Sequence, residues 1–227
     1  MQGTLSVVAT PIGNLGDVTL RALETLRQAD AIACEDTRVT SKLLARYDIK
    51  KPLLVYHARS GRLAATRIIA LLGEGKRVAL VTDAGTPGVS DPGSELVSLV
   101  RERLRDSVRI EAIPGPSALT AALSIAGMPV HEFTFLGFLP HKKGRQTLMK
   151  EIAAAEGAYV FYESPHRIQK ALDELAAHLP PDRQVVVLRE LTKLFESVRQ
   201  GTAADLAEQF KEHPKEVRGE FVVIVSA

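Results

Sequence analysis

Four short apolar segments of this sequence each end in a cluster of glycine, proline and small polar residues. The longest cluster, Thr82 to Gly93, follows the apolar run Val78 to Val81, and shorter ones follow Ala9, Ile113 and Tyr162. Glycine and proline allow tight turns, and the hydroxyl and carboxyl side chains offer polar contacts. The pattern therefore predicts strands whose carboxyl ends carry ligand-facing turns, as in an open α/β sheet.

Strand-like and helix-like segments alternate along the chain, which predicts an α/β fold in two parts. Residues 1–115 are predicted to form a largely parallel sheet, with strands at 4–9, 31–34, 53–56, 77–82 and 108–113. Residues 116–227 are predicted to form a mixed sheet, with strands at 133–138, 158–162, 184–189, 195–200 and 219–225. The strands at 184–189 and 195–200 are close enough for an antiparallel pair. Helices are predicted between the strands, near 18–28, 37–46, 62–73, 93–104, 116–126, 145–155, 166–178 and 203–212. Asp17 is predicted to cap the first helix. The alternative to a ligand-binding role for the loop from Thr82 to Gly93 is an ordinary loop in which Asp91 or Ser94 caps the fourth helix.

Composition excludes several classes of protein. The chain has 227 residues, is 45% hydrophobic and carries a net charge of +2, which suits a folded core and neither requires nor excludes a nucleic-acid partner. The single cysteine, Cys34, excludes an internal disulfide and a multi-cysteine zinc site, and no metal-ligand spacing is present. No apolar run could span a bilayer or serve as a secretory signal, so a cytoplasmic protein without membrane contact is expected. Neither a dinucleotide fingerprint nor a phosphate-binding loop occurs.

Seven motifs distributed over the chain carry a resemblance to a known family: ATPIGNLGD, CEDTR, DAGTPGVSDPG, IPGPSAL, GFLP, FYESPHRI and RELTKLFE. With them the chain resembles the tetrapyrrole methylase superfamily of S-adenosylmethionine-dependent enzymes, and within it the ribosomal RNA small subunit methyltransferase I type. The resemblance implies two α/β domains with a cofactor cleft between them. The first domain, 1–115, would contact the substrate and carry the cofactor loop from Thr82 to Gly93, called the Gly-Pro loop. The second domain, 116–227, would complete the cofactor pocket. It also implies a homodimer.

The resemblance implies that S-adenosylmethionine is contacted by loops at the strand ends. The residues that match the family's cofactor contacts are Pro11, Gly85, Thr86, Val89, Ser90, Ser117, Ala118, Tyr162 and Leu191. Most of them would contribute backbone groups or apolar walls. For Val89, Ala118 and Leu191 the alternative is ordinary core packing.

The acceptor implied by the resemblance is the 2′-hydroxyl of a cytidine in 16S ribosomal RNA, on the 30S subunit. A protonated hydroxyl is a poor nucleophile, so a carboxylate or imidazole could act as general base, although proton loss to water is also possible. His57 is one candidate, and the residues expected to take part in catalysis are Glu35, Asp36, Arg38, Asp83 and His166. Each has a structural alternative: Asp36 could cap a helix, Glu35 could pair with Arg38, and His166 could cap or pack.

Basic residues near the motifs offer a second kind of substrate contact. The loop from His141 to Arg145 could meet RNA phosphates or be an ordinary solvated loop. Arg38, Arg167 and Lys193 could hold phosphates or neutralise carboxylates.

Two departures from the family pattern leave other functions open. Relatives have His-Glu-His-Asn or a similar run where this chain has His57-Ala58-Arg59-Ser60, and many carry a further C-terminal segment that this chain lacks. The alternatives are a methyltransferase that acts on a tetrapyrrole carbon and a noncatalytic RNA-binding or assembly protein on the same fold. The intact glycine-rich loops argue against loss of cofactor binding.

Overall fold

The computed structural model describes residues 2–57, 61–91 and 93–227, so Ala58 to Ser60 of the departure noted above lie outside the described residues. The chain divides into two compact units, Met1–Ser117 and Ala118–Ala227. Each unit has its own sheet and its own apolar core. None of the helices within the described ranges is long and apolar enough to cross a membrane.

The first unit alternates strands and helices. Its strands are β1 (Gly3–Val8), β2 (Ala31–Cys34), β3 (Leu53–Val55), β4 (Arg77–Leu80) and β5 (Val108–Ile113). Its helices are α1 (Leu20–Gln28), α2 (Thr37–Arg46), α3 (Gly61–Gly73) and α4 (Ser94–Leu104). The strand order is β3-β2-β4-β1-β5, and every pair of neighbouring strands is parallel. The predicted parallel sheet is therefore confirmed.

Helices pack on both faces of this parallel sheet, as the short apolar strands require. On one face, α1 contributes Leu23 and Leu26 to a cluster that includes Val8 of β1 and Ile113 of β5. On the other face, α3 and α4 pack against a cluster that includes Leu5 of β1. Because successive residues of a strand point to opposite faces, Leu5 and Val8 belong to different clusters.

The second unit contains a mixed sheet, as predicted. Its strands are β6 (Phe133–Phe138), β7 (Ala158–Glu163), β8 (Gln184–Arg189), β9 (Ser197–Thr202) and β10 (Phe221–Val225). Its helices are α5 (Ala118–Ile125), α6 (Arg145–Ala154), α7 (Ile168–His178) and α8 (Ala203–Glu212). The order is β6-β7-β10-β8-β9, in which β6 and β7 are parallel and the other neighbours are antiparallel. Helices α6, α7 and α8 bury apolar residues in the core of this unit.

Three local predictions need correction. Helix α1 is capped by Thr19, whose side chain accepts a hydrogen bond from the backbone N–H of Ala22, whereas Asp17 lies in a short 3-10 helix one turn earlier. The N-cap of α4 is Gly93, and no side chain of the described residues forms a cap bond there, so the alternative in which Asp91 or Ser94 caps this helix is wrong. Strand β9 begins at Ser197 instead of 195, because Leu194 to Glu196 belong to the turn that follows β8.

Candidate active site

The loops that follow β1, β4 and β5 are hydrogen-bonded to one another at the carboxyl edge of the first sheet. Thr10 and Gly85 form an antiparallel bridge in which each backbone N–H donates to the other's carbonyl, at 2.9 and 3.0 Å. The hydroxyl of Thr86 donates to the carbonyl of Pro116 at 3.2 Å. Ligands of open α/β sheets bind at this edge, so the structure brings the predicted loops of the first unit together where a ligand is expected.

The backbone of the loop after β4 explains its glycines. Gly85 and Gly88 have φ angles of +78° and +87°, in the left-handed region that favours glycine. Ser90 also has a positive φ, of +65°, which is uncommon for a residue with a side chain. Such strained positions concentrate at ligand sites, where the surrounding structure holds them in place.

The residues present here fit an adenosyl ligand. Pro11 and Gly85 are buried within the linked loops, Thr86 and Val89 are half-buried, and Ser90 is exposed. Half-buried apolar walls with a few polar groups are the usual lining of small-molecule sites. Ser117, at the end of the Pro-Gly-Pro turn, is half-buried as well.

Asp36 caps helix α2, which was one of the two roles considered for it. Its carboxylate accepts hydrogen bonds from the backbone N–H of Arg38 at 2.8 Å and from Nε of the same arginine at 3.0 Å. The hydrogen bonds from Arg38 lower the pKa of Asp36 to about 2. Arg38 thus pairs with Asp36, and among the described residues it forms no ion pair with Glu35, which was the structural alternative considered for Glu35.

Asp83 connects the ends of β4 and β2. Its Oδ1 accepts a hydrogen bond from the backbone N–H of Asp36 at 3.0 Å. Glu35, the residue before Asp36, is half-buried, and its pKa is raised by burial and by the negative charge of Asp83. His57 lies close enough to oppose that shift. The structure therefore brings Glu35, Asp36 and Asp83 together at one edge of the sheet, in a group called the Glu35 cluster.

Asp91 is a further member of this cluster, which sequence reasoning considered as a polar side chain of the ligand loop or as a helix cap but not among the catalytic candidates. Burial, together with the charges of Glu35 and Asp83, raises its pKa to about 6. The signal that could have identified it is its position in the loop from Thr82 to Gly93, eight residues after Asp83 and two before the loop ends. A buried carboxyl group beside other negative charges lowers the stability of the protein when it is ionised. Carboxyl groups of this kind are common at functional sites.

Replacing Asp91 with Asn should raise the stability of the first unit at neutral pH. The folded-state pKa of Asp91 lies above the unfolded value, so ionisation costs stability as pH rises from about 4 through 6, and the cost is constant above that range. Asn removes the cost. Thermal melts of both proteins between pH 4 and 8 should converge at low pH and separate as pH rises. Parallel curves at every pH would show that Asp91 is an ordinary solvated carboxylate.

In the second unit, two predicted cofactor residues lie at the same edge of the sheet. Strands β7 and β8 both run antiparallel to β10, and Phe221 of β10 is opposite Glu163 on one side and Arg189 on the other. Tyr162 lies at the end of β7, and Leu191 follows the end of β8. Tyr162 packs edge-to-face on Phe135 and Phe138, with ring centroids 5.0 and 5.6 Å apart.

Leu191 lies in a strained turn. It is 7% exposed, and the residues on both sides, Glu190 and Thr192, have positive φ angles of 53° and 66°.

Ala118 is the first residue of α5 and is half-buried. His166 is exposed in the turn before α7, whose N-cap is Arg167, so His166 is not the cap of that helix.

The basic loop is only partly free for phosphate. Lys142 and Lys143 are exposed, but Arg145 is 3% exposed. Its Nε donates to Glu174 at 2.6 Å, and its Nη1 lies 3.6 Å from the fully buried carboxylate of Glu163. The prediction that Arg145 meets RNA phosphate is therefore wrong, since the guanidinium is enclosed by acidic partners.

Arg167 and Lys193 also neutralise carboxylates, which was one of their two predicted roles. Arg167 donates to Glu163 at 2.9 Å and to the carbonyl of Leu139. Lys193 contacts Glu190 at 2.8 Å and Glu220 at 2.9 Å. These ion pairs fix the turns that carry His166 and Leu191.

Within the described ranges, no group of three or more metal-ligating side chains could hold a metal ion.

Comparison with known proteins gives consistent results. The profile of the tetrapyrrole (corrin/porphyrin) methylases matches residues 4–207. A protein of Xylella fastidiosa named ribosomal RNA small subunit methyltransferase I is 48% identical over 98% of this chain and 81% of its own length. A protein of the same name from Thermotoga maritima is 43% identical over 99% of this chain and 98% of its own length.

The fold is shared with solved structures of more distant sequence. The crystal structure of the methyltransferase CobJ superposes with a TM-score of 0.73 at 22% identity, over 99% of this chain and 94% of that one. At this level of identity the likeness concerns the fold alone. Together with the sheet orders described above, it confirms the predicted tetrapyrrole-methylase fold class.

Proposed function

From the premise that this chain belongs to the tetrapyrrole methylase family and is a methyltransferase of the ribosomal RNA small subunit methyltransferase I group, we propose that it methylates the ribose 2′-oxygen of a cytidine in 16S ribosomal RNA. The methyl donor is S-adenosylmethionine, the acceptor is presented by the 30S subunit, and the enzyme works as a cytoplasmic homodimer. The single observation that carries the proposal is 48% identity over 98% of the chain to a relative with that name.

The proposed cofactor contacts come from the loops already described. In the first unit they are Pro11, Gly85, Thr86, Val89, Ser90 and Ser117. In the second unit they are Ala118, Tyr162 and Leu191. The bridge between Thr10 and Gly85 and the bond from Thr86 to Pro116 hold the first-unit loops in one arrangement before ligand arrives. Preorganisation of this kind lowers the entropic cost of binding.

The bound donor supplies an electrophilic methyl group, so the protein's task is to place and deprotonate the acceptor oxygen. Among the predicted candidates of the first unit, Glu35 is favoured as the general base, because it is half-buried and its pKa is raised by burial and by Asp83. Asp36 is a weaker candidate, since its carboxylate is engaged by Arg38 and its pKa is about 2. His166 remains a candidate contact on the second unit.

Asp83 and Arg38 have supporting roles in this proposal. Asp83 holds the backbone of the turn that carries Glu35, through its bond to the N–H of Asp36. Arg38 is 86% exposed while its Nε and Nη2 contact Asp36, so its remaining donors face solvent and can meet an RNA phosphate. Arg38 would position the substrate, and Glu35 would take the proton.

Replacing Asp83 with Ala should lower kcat by roughly 10- to 100-fold, because an unanchored turn misplaces the proposed base. Asn retains an oxygen that can accept the bond from Asp36, so Asp83→Asn should recover most of the lost kcat. Affinity for S-adenosylmethionine should stay within about threefold in both variants, since the effect is on the acceptor side. Single-turnover methyl transfer and calorimetry measure the two quantities. Equal loss in the Ala and Asn variants would assign the role to the charge of Asp83 and not to the hydrogen bond.

The proposal is tested by incubating the protein with radiolabelled S-adenosylmethionine and three acceptors. Undermodified 30S particles should take up label, whereas a tetrapyrrole precursor and 30S particles that already carry the modification should not. Label on the tetrapyrrole would favour the carbon-methylating alternative. Absence of label on every acceptor, with S-adenosylmethionine bound normally, would favour a noncatalytic role in RNA binding or assembly.

A further inference from the structure

Within the described ranges, α1 covers only part of the face of the first sheet on which it packs. The side chains of Thr4, Ser6 and Val8 share this face because they alternate along β1. Val8 is buried beneath α1 in a cluster with Leu23 and Leu26. Thr4 and Ser6 instead line a cavity of about 230 Å³ beside the C-terminal end of that helix.

The strand register places two arginines on either side of Thr4. Thr4 is opposite Arg77 of β4 and also opposite Arg109 of β5, so the three side chains form one row across three strands. The two arginine Cα atoms are then two strand spacings apart, about 9 to 10 Å. Both arginines line the cavity, and both are exposed. Long side chains at this separation can meet over the hydroxyl of Thr4.

Among the described residues of the lining, the acidic one is Glu111, and it is already engaged. Glu111 lies in the next row, opposite Ser6. Its Oε1 accepts the hydroxyl of Ser6 at 2.9 Å, and its Oε2 lies 3.1 Å from Nη2 of Arg109. Glu111 therefore orients Arg109 through one nitrogen, and the other N–H donors of that guanidinium are directed away from Glu111.

Arg77 is held in a similar way. Its Nη1 donates to Oε1 of Gln28 at 3.0 Å, and its backbone N–H donates to Asp30 at 2.7 Å. Among the described residues, each guanidinium is thus held by one contact and keeps further N–H donors free in the cavity that Thr4 also lines. A pair of oriented guanidinium groups matches the oxygens of a phosphate, which arginine binds through two parallel hydrogen bonds.

We propose that Arg77, Arg109 and Thr4 form a phosphate site that takes a backbone phosphodiester of the RNA substrate. This inference rests on the proposed function. It concerns a part of the first unit that belongs neither to the predicted cofactor contacts nor to the Glu35 cluster. The contact would position RNA without reading its sequence, since phosphates carry no base information.

The test compares two double variants with the same change in charge. Arg77→Gln with Arg109→Gln removes the proposed site, and Arg101→Gln with Arg103→Gln removes two exposed arginines from α4, which packs on the opposite face. The probe is a short fluorescent single-stranded oligoribonucleotide, measured by anisotropy over a salt series. The first variant should bind about tenfold more weakly at low salt. Its log-log salt slope should fall by about 0.7, for one lost phosphate contact on single-stranded RNA. The control should retain the wild-type slope.

Other outcomes would overturn the proposal. Equal weakening in both double variants would mean that general charge is responsible. Competition by inorganic phosphate, without any difference in RNA affinity between wild type and variant, would mean a free-phosphate site only. A change of oligomeric state in sedimentation, with RNA affinity retained, would mean that this face contacts a second copy of the chain. Arg77→Lys with Arg109→Lys keeps the charge and should recover part of the affinity if the first variant folds poorly.

Failure of this site and failure of the proposed function are distinguishable. Loss of the RNA contact is measured by binding, and methyl transfer is measured on 30S particles. Normal transfer by a variant with unaltered RNA binding would remove the phosphate site alone. If the wild-type protein transfers no methyl group to 30S particles but the Arg77→Gln and Arg109→Gln variant loses RNA binding, the catalytic proposal alone is removed.

Discussion

Replacing Glu163 with Ala should destabilise the second unit by about 3 kcal/mol or more. The carboxylate of Glu163 is fully buried between Arg145 and Arg167, whose guanidinium atoms lie 3.6 and 2.9 Å away. Removing one partner of a buried ion pair leaves the other charges desolvated and unbalanced, at a cost of about 3–5 kcal/mol. Hydrogen exchange of the β7 and β10 amides reports the stability of this unit directly.

A surface ion pair of the same unit provides the control. Lys211 contacts Asp173 at 2.8 Å, and their side chains are 59% and 44% exposed. Asp173→Ala should cost at most about 1 kcal/mol, because water screens exposed pairs. Losses of similar size in the two variants would show that water reaches Glu163. Exchange in the β1 and β4 amides should be unchanged by either substitution, since those strands belong to the first unit.

Replacing Gly85 with Val should weaken S-adenosylmethionine binding by roughly 30-fold. Gly85 has a φ of +78° and exchanges two hydrogen bonds with Thr10. Among the described residues, a Cβ would meet Ile12 and Pro116, at 3.5 and 3.9 Å, so the cost comes from the backbone and not from a clash. A β-branched residue in this conformation costs about 1–3 kcal/mol. Relaxation of the strain would shift the loop that is proposed to hold the cofactor. Isothermal titration calorimetry gives the affinity.

Gly144 is a matched control for the backbone effect. It has a φ of +82°, and no atom from the part of the chain that the structure describes lies within 4 Å of a Cβ built on it. Gly144→Val should impose similar strain at the start of α6 and leave cofactor affinity within about threefold. An unchanged affinity in Gly85→Val, with the fold retained, would place the cofactor elsewhere. Equal loss in both variants would indicate a general effect of strain on the protein.

Local sequence pattern was sufficient to predict the order of the strands and helices, because each element carries its own apolar periodicity and its own turn residues. The ends of elements were less predictable. Asp17 and Thr19 both have capping side chains, and the choice depends on which residue directly precedes the first helical turn. Strand β9 starts two residues later than predicted because Thr192 N–H donates to Glu196, at 2.6 Å, within the preceding turn.

The roles of single charged residues depended on partners far along the chain. Arg145 stands among lysines in the sequence, yet its guanidinium is buried against Glu163 and Glu174. No pattern near Arg145 indicates those contacts. Asp91 shows the same dependence, since its raised pKa arises from burial, from Glu35 on another segment and from Asp83 in its own loop. Motifs identified the family and its loops, whereas the charge environment of each residue required the tertiary structure.

The central claim is that this methyltransferase modifies a ribose oxygen of small-subunit RNA, and the direct measurement is the position of the transferred methyl group. Undermodified 30S particles are incubated with the protein and labelled S-adenosylmethionine, and the RNA is digested and analysed by mass spectrometry. The account predicts one labelled nucleotide of 16S RNA, a cytidine with the methyl group on its 2′-oxygen and a phosphodiester bond resistant to alkali. Label on a base atom would contradict it. Absence of label on RNA, with wild type and Asp83→Ala alike, would contradict it as well.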